Sequence, residues 1–137
     1  MRILLVLSVV FGLTGPSHAF SEADRSAVQS TIEQQLEAFL ADDGATAYSF
    51  AAPSIRAMFP SEEIFMNMVR QGYPQVYRPQ SYAFGELKET SAGLQQFVDI
   101  IDSQGVGWTA VYTLAQQPDG SWKITGCYLI EKPGESV

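Results

Sequence analysis

The spacing of apolar residues changes near position 80, and this change limits the folds open to the chain. Before it, large apolar side chains recur every three or four residues, the repeat of an amphipathic helix. From Ser81 onward they tend to alternate, the repeat of a half-buried strand. Helical segments followed by short strands bury their apolar faces by laying a helical layer on one antiparallel sheet. The predicted class is therefore α+β.

Within the first half, residues 21–41 carry the clearest helical stripe: Val28, Ile32, Leu36, Phe39 and Leu40, extended by Ala23 and Ala27. Ser21 is the expected amino-terminal cap, Glu22 and Asp24 suit the positive end of the dipole, and Gly44 is the expected stop. Residues 45–59 read as a short helix carrying Tyr48, Ala51 and Ala52 on one face. After the break at Pro53 comes a separate turn with Ile55, Met58 and Phe59. A third helix, 61–71, opens on Ser61 and buries Ile64, Phe65, Met68 and Val69. Pro74 and Pro79 predict an irregular connection over 73–79.

Four strands follow, roughly 81–89, 94–102, 106–117 and 121–131. Short turns join them into an antiparallel meander, with Pro118-Asp119-Gly120 the strongest hairpin signal. Alternation places Tyr82, Phe84, Glu86 and Lys88 on one side of the first strand, and Phe97, Asp99 and Ile101 on one side of the second. Trp108, Ala110, Tyr112 and Leu114 share a side of the third. In the fourth, Trp122, Ile124, Gly126, Tyr128 and Ile130 share a side, leaving Cys127 opposite with Thr125 and Leu129. A slip of one residue inverts any of these faces.

The amino terminus reads as an export signal. Met1-Arg2 is a positive start, Ile3–Leu13 a short apolar run, and Ser17-His18-Ala19 a small-x-small site with cleavage expected before Phe20. The run is too short to span a bilayer. The expected organisation is a signal peptide over 1–19 and one α+β domain over 20–137, periplasmic or secreted. His18 is the sole histidine, so the mature domain holds no imidazole and no Ser-His or Cys-His pair. It keeps seven basic against fifteen acidic residues, a net charge of −8. This opposes nucleic acid and an anionic membrane as partners. Cys127 is the sole cysteine and has no internal partner. No metal site is expected, since the remaining carboxylates show no calcium-loop spacing, and no cofactor is expected.

The order of elements resembles the nuclear transport factor 2-like (cystatin-like) roll superfamily. Three stretches narrow the likeness: Met68-Val69-Arg70-Gln71-Gly72-Tyr73, Val76-Tyr77-Arg78-Pro79, and Asp119-Gly120-Ser121-Trp122-Lys123-Ile124-Thr125-Gly126-Cys127. With these the chain resembles the small exported bacterial proteins of the domain of unknown function 4864 family, over about Glu22 to Ile130. The resemblance implies a cone-shaped roll, with three helical segments on a curved four-stranded meander, and export. It carries over no catalytic residue. Relatives in the wider superfamily include isomerases, cyclases, dehydratases and binding modules, and fold does not choose among them.

Three readings of the chemistry follow. The preferred one is a non-enzymatic accessory domain binding a small apolar ligand or a protein, with Tyr48, Phe59, Phe65, Tyr73, Tyr77, Trp108 and Tyr112 as candidate pocket walls. Rings of this kind equally serve as plain core. The alternative is a small-substrate isomerase or dehydratase, using Asp99 as base with Tyr112 (or Tyr82) as hydroxyl donor. The third is a purely structural module of an envelope assembly. Asp102 lies on the face opposite Asp99, so the two do not form a carboxylate pair. Arg56, Arg70 and Arg78 either converge on an anion or balance Glu62, Glu63 and other surface acids. One sheet face is a candidate homodimer surface.

Overall fold

The computed structural model describes residues 20–134, so the expected signal peptide, His18 included, lies outside the described residues. Helices precede strands throughout. They are α1 (Glu22–Leu40), α2 (Gly44–Ser49), α3 (Pro53–Met58), α4 (Glu62–Gly72) and α5 (Pro74–Tyr77). The strands are β1 (Ser81–Thr90), β2 (Gly93–Ile101), β3 (Gly107–Gln116) and β4 (Trp122–Glu131), antiparallel and in sheet order β1-β2-β3-β4. The connection after Gly72 contains α5, one turn that the sequence reading missed. Pro74 occupies its first turn, where a missing N–H costs nothing.

The caps explain the helix ends. Ser21 Oγ accepts from Asp24 N at 3.1 Å, and Asp24 Oδ2 accepts in turn from Ser21 N at 3.0 Å. Ser61 Oγ accepts from Ile64 N at 3.1 Å. At the other end of α1 the stop is Asp42, not Gly44. Asp42 adopts a left-handed φ of 53°, and its N–H and that of Asp43 return to Phe39 O and Ala38 O. This is a Schellman closure with aspartate where glycine is usual. Asp43 then caps α2, and Gly44 becomes its first residue.

One face of α1 seals the sheet. Val28, Ile32, Leu36 and Phe39 are buried there, each contributing about 1.5–3 kcal/mol by leaving water. Thr31 and Gln35 share this stripe, whereas Leu40 is 51% exposed. Ile64 is also exposed, and Met66 takes its place in the core. Spacing does not record which stripe packing covers: α1 lies against the sheet, whereas α4 packs against α2 and α5.

The inner face of the sheet carries Leu94, Gln96, Val98 and Ile100 of β2, and Ala110, Tyr112 and Leu114 of β3, all buried. Two bulges set its remaining residues. In β1, Gly85 and Glu86 stand against Phe97 alone. The fully buried Gln96 amide donates to Gly85 O, Glu86 O and Phe97 O at 3.1, 3.2 and 2.8 Å, and Gln29 donates to its oxygen. In β4, Thr125 is the extra residue between Gly126, paired with Thr113, and Ile124, paired with Leu114. The bulge corrects the expected faces of β4. Ile124, Cys127 and Leu129 turn toward the helices, and Tyr128 and Ile130 turn away.

Two backbone contacts complete the frame. The α2–α3 connection joins the free edge of β4: Ala52 N donates to Ile124 O, and Ile124 N donates to Phe50 O, both at 2.8 Å. Gly93 turns β1 into β2 at φ 135°, where a Cβ would meet Leu114 O at 2.2 Å.

Replacing Gln96 by Leu leaves the bulge carbonyls unpaired in the core. Urea unfolding of Gln96→Leu is expected to show a loss of about 1–3 kcal/mol with an unchanged slope. Wild-type stability in that variant would show that Gln96 does not hold the bulge.

Candidate functional site

A cavity of about 270 Å³ opens between the helices and the β3–β4 side of the sheet. Its floor is Tyr112 with Ile124 and Cys127, and the Thr125 bulge and Gly126 form one rim. Gln35 and Phe39 of α1 form the back. Ile55 and Met58 of α3, then Phe59, Phe65, Met68, Val69, Tyr73 and Val76, complete the wall. Among the described residues no charged side chain lines it. Met58, 66% exposed, and the half-buried Phe59, Met68 and Tyr73 are the wall residues nearest solvent. An apolar space with few polar groups suits a small molecule, and this one lies near the lower end of the usual size range.

The polar groups of the wall have identifiable states. Gln35 donates to Ala47 O at 3.1 Å. Thr125 donates to Thr113 O at 3.1 Å. The Tyr112 hydroxyl, deep in the floor, has no hydrogen-bond partner among the described residues. The other such buried atom, Gln75 Oε1, belongs to α5 and not to the wall. Cys127 lies across the β3–β4 pair from Tyr112, close enough to influence its ionisation without meeting hydrogen-bond geometry. Burial holds Tyr112 well above the ordinary phenol value, so it stays a protonated donor. Burial pushes the Cys127 thiol up to about 12, partly offset by the Tyr112 hydroxyl. Such a thiol is a poor nucleophile at neutral pH.

Of the pocket candidates read from sequence, Phe59, Phe65, Tyr73 and Tyr112 line the cavity. Tyr48 stands behind the wall, its ring 5.4 Å from that of Phe65 and its hydroxyl donating to Phe59 O at 2.6 Å. Trp108 lies toward the far end of the sheet, where its indole donates to Asp102 Oδ2 at 3.0 Å. Asp102 also accepts from Gln104 N and Val106 N, so it closes the β2–β3 turn. Met58, Met68 and Gln35 were not among the candidates. Gln35 had a signal, being four residues from both Thr31 and Phe39 on the buried stripe of α1.

Asp99 and Tyr112 are not neighbours. Asp99 sits on the outer face, exposed, with Lys132 Nζ 2.6 Å from Oδ1. Tyr112 sits on the inner face opposite Gln96. The sheet separates them, so no proton passes directly between them. Tyr82, the other hydroxyl considered, also belongs to the inner face, paired with Ile100.

The arginines divide in a similar way. Arg56 lies over the Tyr48 ring, 4.8 Å from its centroid, and donates to Tyr48 O at 3.2 Å. Arg70 and Arg78 converge on an anion supplied by the chain itself, Asp42, and not on Glu62 or Glu63. Arg78 reaches Asp42 Oδ2 at 2.9 Å and Phe39 O at 2.5 Å. Tyr77, with its ring 4.0 Å beneath the Arg78 guanidinium, donates its hydroxyl to the same carboxylate. Tyr77 is therefore part of this clasp and not of the cavity wall. Since α1 has no basic residue in its last turn, Arg78 supplies the positive charge its carbonyl end favours.

This architecture is NTF2-like. A crystal structure of an NTF2-like protein of unknown function from Shewanella baltica OS155 superposes with a TM-score of 0.58 at 12% identity, covering 85% of this chain and 100% of that one. A second NTF2-like protein of unknown function, from Silicibacter pomeroyi DSS-3, gives 0.56 at 14% identity, covering 82% and 100%. The chain belongs to the family described as Domain of unknown function (DUF4864), whose profile matches residues 21–137. No curated protein matches the sequence significantly. Among the described residues there is no group of three or more metal-ligating side chains, and no helix is long and apolar enough to cross a membrane.

The Asp42 clasp has a pH signature. The Tyr77 hydrogen bond is the largest effect and lowers the Asp42 pKa; desolvation opposes it, and the charges of Arg78 and Arg70 with the Arg78 hydrogen bond lower it further. A depressed folded pKa gives stability that is present above the unfolded value and lost as pH falls through the folded one. Asp42→Asn is expected to melt below wild type at neutral pH, with the gap closing as pH falls below about 3.9. A gap of equal size in acid, measured by thermal circular dichroism, would place the effect elsewhere.

Proposed function

We propose that this chain is an exported, non-enzymatic accessory domain that holds a small apolar molecule between its helices and sheet. The observation that carries this reading is the cavity of about 270 Å³, walled by apolar side chains and free of charge. Separation of Asp99 from Tyr112 weighs against the isomerase or dehydratase reading, because no carboxylate lines the space. Export rests on the leader pattern of Met1–Ala19.

A second copy of the chain is the proposed partner, through the outer face of the sheet. Phe97 and Tyr128 flank a fully buried Val111 there, with Ile101, Tyr128 and Ile130 each about half exposed. The Asp99–Lys132 pair leaves that face locally neutral, so two acidic chains can meet on it.

Toluene titrated into the 20–137 chain tests the cavity. Amide shifts are expected at Thr125, Gly126 and Cys127, with a rise in melting temperature that follows ligand concentration. Saturating toluene without either change would remove the binding reading. For assembly and export, intact mass of protein recovered from its own cells is expected to begin at Phe20. Light scattering is expected to give a dimer that Ile130→Lys converts to monomer. A monomeric wild type at high concentration would remove the sheet-face pairing, and a retained leader would remove the export reading.

A further inference from the structure

The cavity has one feature beyond its shape. Its floor contains a hydroxyl that is buried, protonated and without a hydrogen-bond partner among the described residues, in a space lined by none of their charged side chains. Buried polar groups in native structures are nearly always hydrogen-bonded, so an exception requires a reason. A neutral apolar ligand bearing a carbonyl would supply the missing acceptor. A carboxylate or ammonium would be stranded without a counter-charge.

We infer that the cavity selects an uncharged molecule of about ten non-hydrogen atoms whose carbonyl oxygen accepts a hydrogen bond from Tyr112. This rests on the binding reading above and adds the ligand's chemistry to it. Size follows from volume: an apolar cavity of about 150 Å³ takes benzene, and this one is larger by somewhat less than a factor of two. The methionines at the entrance, Met58 and Met68, adapt to ligand shape at little cost. Gln35 at the back donates to Ala47 O and Thr125 on the rim to Thr113 O, whereas the Tyr112 hydroxyl on the floor is a donor without a partner among the described residues.

Three probes of matched size separate the components: acetophenone, α-methylstyrene (the same shape with a methylene for the oxygen) and benzoate. In the 20–137 chain, acetophenone is expected to bind about three- to tenfold more tightly than α-methylstyrene, the contribution of one neutral hydrogen bond. In Tyr112→Phe that preference is expected to disappear while α-methylstyrene affinity holds. Benzoate is expected to bind at least about a hundredfold more weakly than acetophenone. The carbonyl stretch of acetophenone bound to wild type is expected to move to lower frequency than in hexane. That measurement decides the matter even if the variant fails to fold.

Equal binding of acetophenone and α-methylstyrene, with an unshifted carbonyl band, would overturn the hydrogen bond and leave the cavity reading intact. It would mean that the hydroxyl turns to the Cys127 sulfur or to water. Benzoate binding as well as acetophenone would overturn the requirement for neutrality. Failure of all three probes and of toluene would remove the cavity reading itself, and this inference with it.

Discussion

The extra residue in β4 organises the half of this molecule that holds the cavity. Placing Thr125 between two paired positions turns Ile124 and Cys127 to the same side of the sheet, although they are three positions apart. Strict alternation would have sent one of them outward. A bulge also bends its strand and increases the local twist. Here it sits where the α2–α3 connection docks through Ala52 N and Phe50 O, so bend and docking act at one place. The cavity rim is built from the bulge itself, and its floor from residues on either side of it.

The second bulge does different work. In β1 the carbonyls of Gly85 and Glu86 turn from the ladder and are collected by one side chain, Gln96, which is wholly shielded from water. A buried amide is tolerable because both its ends are occupied, the oxygen by Gln29. Tyr112 is its neighbour across the β2–β3 pair and lies in the same shielded layer, yet its hydroxyl is not satisfied. Two polar groups in adjoining positions, one saturated and one not, mark the boundary between structural core and candidate site.

The helical half is tied down by a clasp of its own. Asp42 is held in a left-handed conformation that most side chains avoid, and Tyr77 and Arg78 take its carboxylate while Arg78 also takes the last turn of α1. Arg70, Tyr77 and Arg78, in the stretches that carry the family resemblance, are therefore explained by architecture. They fasten α1 to α5 and thereby set the back of the cavity. An anion site was a reasonable expectation for three arginines in an acidic protein, and the structure shows that its own carboxylate fills that role for two of them.

Periodicity with cap and turn residues was enough to read helices before strands, the antiparallel meander and the caps at Ser21 and Ser61, though not the one-turn α5. These depend on neighbours within a few residues, where spacing and cap chemistry act directly. What spacing could not record was every feature set by contacts between distant parts. The faces of β4 depend on one inserted residue. The stop of α1 depends on Tyr77 and Arg78, 35 and 36 positions away. Exposure of Leu40 and Ile64 depends on which neighbours cover α1 and α4. The separation of Asp99 from Tyr112 depends on the β2–β3 register, which pairs Asp99 with Thr109 and Tyr112 with Gln96. Local chemistry chose the elements; the packing of one layer on the other decided which side chains share a space, because burial belongs to the pair of surfaces and not to either segment.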